Sequence, residues 1–325
     1  DVSPAKWPSS IYVLEHHRYP VNSVQFSHDM SLLLTTCSKV TNVWDTSTGL
    51  RLEAFEGNFF TYSVFLFNTR LIAILSSDFS VQVHEDQRCF VLESPESVRD
   101  ELKAAHWLTS SLDSSLVAAV CYYVIVVWKL ETSGCLCVLQ GHAPFVDLTF
   151  IKNNHQLMSA DTDGTINIWD ISSGHCLQRL SCIDPAPLEP SPLPIPNIPN
   201  YRLICGEFVG DAKRFIYATP NSILRHEIET SKSIKLNDEG TLGGLWVSPD
   251  STRYAWLEDQ NSIKVADTQT GNVLQKITCQ SKQIRTMSFS QDAKWLAIGG
   301  FDGLVTVHDL SVTEVSSTKR DLHFE

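Results

Sequence analysis

The chain is predicted to be all-β: a seven-bladed propeller of four-stranded antiparallel sheets closed into a ring. Three observations carry this expectation. The stretch 141–180 holds four alternating apolar runs, Val146–Phe150, Gln156–Ser159, Thr165–Trp169 and Cys176–Leu180, broken by Asn, Asp and Gly. Period-two alternation punctuated by turn residues marks short antiparallel strands. A second observation is a ladder of equivalent positions, Trp44, His84, Trp128, Trp169, His226, Ala266 and His308, with gaps of 40, 44, 41, 57, 40 and 42 residues. The third is a ladder of turn residues 15 or 16 positions earlier: Asp29, Asn68, Asp113, Asn154, Asp211, Asp250 and Asp292. Two independent ladders with one period give seven repeats, each the length of a four-stranded blade.

Taken in order, the blades are expected at about 17–55, 56–93, 100–139, 141–182, 201–236, 238–278 and 280–313. In the first, Val21, Val24 and Phe26 point inward, and NVWDTSTG supplies a third strand and a Gly turn. The 57-residue gap contains 184–200, DPAPLEPSPLPIPNIPN, with seven of the 14 prolines. Proline lacks a donor N–H and cannot continue a sheet ladder, so this segment reads as a loop between blades. Removing its 17 residues leaves 40, an ordinary spacing. Residues 11–15 (IYVLE) read as a strand without a blade and are expected to complete the seventh, with the tail 315–324 competing for that place.

The 325 residues are 43% hydrophobic and 19% charged, the balance of a globular chain. No apolar run approaches the 18 or so residues of a membrane helix. Lys and Arg are outnumbered 25 to 37, for a net charge of −12, which argues against nucleic acid as a partner. The nine cysteines form no C-x-x-C pair; they read as small buried apolar residues, reduced, in a cytoplasmic protein. Cys135 and Cys137, two apart, are expected on one face of a strand. The eleven histidines show no ligand spacing, so neither a metal nor a cofactor is expected. Phosphate-loop, nucleophile-elbow and paired-carboxylate motifs are lacking, and no catalytic residue is assigned. The chain begins with Asp rather than Met and is expected to be a piece of a longer protein.

The Gly141-His142 start and Trp169-Asp170 finish, with 27 residues from His142 to Trp169, resemble one WD40 repeat. The resemblance implies a buried hydrogen-bonded set in blade four: His142, Ser159, Asp163 and Trp169. Its role is structural, because a buried indole N–H needs an acceptor and a hydroxyl provides one. The resemblance also implies that partners dock on the face shared by the interblade loops and the turns between second and third strands. Tyr19, Phe59, Phe60 and Phe145 are expected there as exposed aromatics.

SPAKWPSSIYVLEHH, VQFSHD, VWDTSTG and CLCVLQGH resemble the C-terminal repeat arrays of fungal NACHT-type (STAND) receptors of the heterokaryon-incompatibility class. That resemblance implies an intracellular sensor whose ring binds a protein or peptide and controls an N-terminal NTPase module. The alternatives are an adaptor subunit of a multiprotein complex, of mitochondrial-division or ubiquitin-ligase type, and an enzyme using the central funnel.

Overall fold

The computed structural model describes residues 11–14, 17–66, 71–76, 80–85, 88–98, 105–151, 155–182, 205–209, 212–239, 241, 244–281 and 283–311. The Pro-rich segment 184–200, residue 15, the tail 315–324, and the turn markers Asn68, Asn154 and Asp211 lie outside these.

The strands run as follows. β1 is Ile11–Leu14. Blade 1 is β2 (Val21–Phe26), β3 (Leu32–Cys37), β4 (Val40–Asp45) and β5 (Arg51–Glu56). Blade 2 is β6 (Phe60–Phe65), β7 (Ile72–Ser76), β8 (Val81–Glu85) and β9 (Arg88–Val91), followed by a 3-10 turn at Glu96–Val98. Blade 3 is β10 (Ala105–Ser110), β11 (Leu116–Cys121), β12 (Val124–Lys129) and β13 (Gly134–Gln140); blade 4 is β14 (Phe145–Phe150), β15 (Gln156–Asp161), β16 (Thr165–Asp170) and β17 (Cys176–Ser181). Blade 5 is β18 (Cys205–Phe208), β19 (Arg214–Thr219), β20 (Ser222–Glu227) and β21 (Lys232–Asn237); blade 6 is β22 (Leu245–Val247), β23 (Arg253–Leu257), β24 (Ser262–Asp267) and β25 (Val273–Thr278). Blade 7 is β26 (Ile284–Phe289), β27 (Trp295–Gly300) and β28 (Val305–Asp309), with β1 as its outer strand. All seven sheets are four-stranded and antiparallel, so the fold is a seven-bladed β-propeller.

A blade has no inside of its own. Along β11, Val117, Ala119 and Cys121 join a core shared with blade 2, while Leu116, Ala118 and Val120 join one shared with blade 4. This period-two split puts every blade between two cores. Seven apolar clusters result, one at each junction. The last sets Leu14, Ala297, Val305 and Val307 of blade 7 against Val21, Val24, Leu33 and Trp44 of blade 1. The ring is therefore closed, by the earliest described strand lying along β28 with Ile11 opposite His308 and Leu14 opposite Val305.

Regular alternation breaks at set places. In β2, β6, β14 and β26 the register shifts after the first residue, and the inward-facing side chains follow an i, i+3, i+5 order: Val21, Val24, Phe26; Phe145, Leu148, Phe150; Ile284, Met287, Phe289. A bulge of one extra residue produces that spacing. The outer strands β5, β13, β17 and β25 carry a second bulge opposite the third-strand marker. In β13 it falls at Leu136, which puts Cys135 against the blade 2/3 core and Cys137 against the blade 3/4 core. The two thiols thus point to opposite faces, not to one as their spacing predicts.

Turns are locked by aspartates. Asp29, Asp113 and Asp250 accept from the hydroxyl two residues earlier and from the backbone N–H two residues later. Met30, Ser114 and Ser251, which follow them, take left-handed backbone angles. Asp45, Asp170 and Asp267 hold the third-to-fourth turns ahead of Gly49, Gly174 and Gly271, all at positive φ. Hydroxyls of Ser172 and Ser173 hold the Asp170 carboxyl down to about 2.

Candidate functional site

Antiparallel connection puts the interblade loops and the second-to-third turns on one face, here called the top. The remaining turns form the bottom. On the top face Tyr19 (45% exposed) precedes β2 and Phe59 (62%) precedes β6. Tyr122 and Tyr123 join β11 to β12, and Phe301 joins β27 to β28; all three are exposed. The two tyrosine rings lie 5.8 Å apart. These five aromatics occupy consecutive blades, 7, 1, 2 and 3. Phe59 sits in the left-handed region at φ 60 and lies under the Lys39 ammonium, 5.7 Å from its ring centre. A bulky residue in that region is strained. Tyr122, Tyr123 and Phe301 are missed by sequence reading, which looks only ahead of first strands; their position in the short hairpins is the available signal.

Phe60 and Phe145, expected among the exposed aromatics, are buried at 2% and 3%. Each ring folds back over the glycine of its Gly-x start: a Cβ on Gly57 or Gly141 would meet the ring at 2.1 or 2.5 Å. They are therefore pillars of the blade junctions beneath the face, and the glycines make room for them.

The expected polar set of blade 4 is mostly unmade. Trp169 Nε1 donates to Ser159 Oγ at 2.9 Å, and both are buried. His142 is exposed and instead meets Arg179, 3.1 Å away. Asp163 is exposed too, because the turn is capped from the strand end: buried Asp161 accepts from the N–H groups of Asp163 and Thr165. A fuller chain stands in blade 1, where His17 Nε2 and Trp44 Nε1 both reach Thr35 Oγ1 at 2.8 Å. Elsewhere the substitutes differ. Trp128 donates to the Glu93 carbonyl, His226 meets Ser233, and His308 meets Thr306. In blade 7, Asp302 accepts from the Ser281 hydroxyl. We expect Thr35→Val to lower stability by about 1–3 kcal/mol, since it strips a buried indole of its acceptor. Asp163→Ala should stay within about 0.5 kcal/mol. Urea unfolding of the two variants checks both.

The axis of the ring carries a second constellation. At three junctions an inner-edge N–H of a first strand is met by a side chain of the preceding blade. Gln25 Oε1 accepts from Phe65 N at 2.7 Å, Asp147 Oδ2 from Phe208 N at 2.5 Å and Glu207 Oε2 from Val247 N at 2.6 Å. Burial pushes the Asp147 carboxyl up to about 7. Glu207 is driven up by burial first and then by the charge of Asp147; the Tyr62 phenol rises by burial first and then by both carboxylates. A carboxyl raised in the folded state contributes stability that is complete below its unfolded value, near 3.8, and is lost as pH rises through about 7. Asp147→Asn, which keeps the acceptor oxygen, is therefore expected to stabilise the fold by about 2 kcal/mol at about pH 8, with the gain shrinking toward pH 4. Thermal melting across that range is the check.

Among the described residues no group of three or more His, Cys, Asp or Glu is arranged to hold a metal ion, and no helix is long and apolar enough to cross a membrane.

Comparison with known proteins agrees with this geometry. The WD domain, G-beta repeat, matches residues 8–45, 133–170 and 271–309. Each segment joins the outer strand of one blade to the three inner strands of the next, so the sequence repeat straddles a blade junction. The chain is 34% identical over 327 residues to apoptotic protease-activating factor 1 of Danio rerio, covering 92% of this chain and 24% of that protein. It is 31% identical over 93 residues to the WD repeat-containing protein 89 homolog of Dictyostelium discoideum (28% of this chain, 25% of that one). To periodic tryptophan protein 2 of Arabidopsis thaliana it is 23% identical over 204 residues, 62% of this chain and 21% of that one. The chain thus spans about a quarter of the length of these relatives.

Proposed function

From the premise that this chain is a seven-bladed propeller of WD40 repeats, we propose that it is a non-enzymatic scaffold for protein interaction, the recognition array of a larger cytoplasmic sensor. The carrying observation is the arc of five exposed aromatics on the top face, Tyr19, Phe59, Tyr122, Tyr123 and Phe301. Exposed rings gathered on one rigid face are the usual anchors of protein recognition. Phe59 strengthens the reading: a ring held exposed at positive φ costs stability that function has to justify. The match along 92% of the chain is to a factor named for activating a protease, which supports a regulatory array inside a longer chain. The resemblance to NACHT-type receptor arrays makes an NTPase module in the same chain part of this proposal, and a Walker lysine encoded upstream is its direct test. No disulfide joins the described cysteines, which supports a reducing compartment.

Phe59→Gly separates binding from folding. Glycine accepts φ 60 freely, so stability should hold while binding drops. Affinity capture with the wild-type chain, with Phe59→Gly and with Tyr122→Ala/Tyr123→Ala should show one partner retained by the first and lost from both variants. Unchanged capture by folded variants refutes the top face as the docking surface.

A further inference from the structure

The axial channel widens into a cavity of about 550 Å³. Its walls include the half-buried rings of Tyr62, Trp107 and Trp246 and the carboxylates of Asp147 and Glu207. The Tyr62 and Trp107 rings lie 5.1 Å apart. The mouth is on the bottom face, among the first-to-second turns that contribute His28, Asp29, Pro249 and Gln291. No Lys or Arg is among the lining residues. Asp147 is 4% exposed, and neither it nor Glu207 has an ion-pair partner among the described residues. Each carboxylate spends an oxygen on one backbone N–H of the next blade, which fixes its position without neutralising it.

A buried carboxylate beside a half-buried one is costly without a counter-cation, and a low-dielectric cavity strengthens whatever cation reaches it. Aromatic walls favour the same visitor through their faces. A guanidinium answers both demands, being planar for stacking, permanently charged and a donor on several edges. The net charge of −12 draws basic partners toward the ring. We propose that the channel is a binding site for a guanidinium, the side chain of an arginine that a partner protein inserts from the bottom face. The site rests on the reading of the chain as an interaction scaffold, but it lies on the face opposite the aromatic arc and is tested without a partner.

The experiment is calorimetric titration of the whole chain with N-acetyl-arginine-methylamide, its lysine and citrulline counterparts, and methylguanidine. The arginine probe should saturate, the uncharged citrulline probe should not, and lysine should bind more weakly than arginine. Asp147→Asn/Glu207→Gln should weaken arginine binding by about tenfold or more while melting no earlier than wild type. Affinity should also fall by about tenfold from about pH 8 to about pH 5, as the two carboxyls take up protons. Tyr62 in the wall and His28 and Asp29 at the mouth also face the site, so His28→Gln is titrated alongside and should keep the pH dependence. Equal binding of arginine and citrulline, tighter binding of lysine, or an unaffected double variant overturns the site. Binding of methylguanidine but not of the amide-flanked probe overturns the partner side chain as its occupant. None of these outcomes bears on capture by the top face, so the two readings fail separately.

Discussion

Removal of residues 1–14 is expected to cost on the order of 5 kcal/mol, comparable to the whole stability of many domains. The loss has two parts. Without β1, the edge of β28 loses its ladder from Val305 to His308. Leu14, 3% exposed, also leaves the blade 7/1 core, uncovering Val305 and Val307, which are fully buried. That core is the only apolar seam linking the end of the described chain to its beginning, so every other junction loses the restraint of closure. Calorimetric or circular-dichroism melting should show a transition that is lower and broader. A synthetic peptide of residues 1–16 should restore part of it. Coincident melting curves for whole and shortened chains would mean that the seam carries little.

Arg225→Met should cost about 2–4 kcal/mol, far more than an exposed charge. Arg225 lies in β20 and is 8% exposed. Its Nη1 donates to the carbonyl of fully buried Thr268 at 2.6 Å, in the turn of the next blade, and its Nε lies 2.8 Å from Glu227 Oε1. Methionine keeps the stem's packing but leaves a buried carbonyl without a donor and Glu227 without its charge partner. Lys213→Met breaks an exposed pair with Glu229 and should stay within about 0.5 kcal/mol. Urea unfolding distinguishes them, and equal effects would remove Arg225 as an interblade bridge.

The fold class is legible because its signals are local and repeated. Trp44, His84, Trp128, Trp169, His226, Ala266 and His308 all lie in third strands, and Trp44, Trp128, Trp169 and Ala266 face the core shared with the preceding blade. The polar set is less legible. Asp161 and Asp163 are two apart and chemically alike, and only three-dimensional turn geometry makes the first the buried cap. Phe60 and Phe145 look like loop aromatics, although each is preceded by a glycine that leaves room for its ring; those glycines are the overlooked sign. A one-residue bulge hides the opposite facing of Cys135 and Cys137, since spacing alone assumes regular pleating. The channel carboxylates escape sequence reading altogether. Asp147 and Glu207 are 60 positions apart and meet only because the ring brings first strands to one axis.

On the proposed function, the closed ring offers its top face to another protein. The most direct measurement places a photo-crosslinking residue at Phe59 in one version of the chain and at Leu177, exposed on the outer strand of blade 4, in another. Irradiation in extract of the native cells should yield a single discrete adduct from position 59 and none from position 177. Equal adducts from both positions, or adducts from 177 alone, would contradict it.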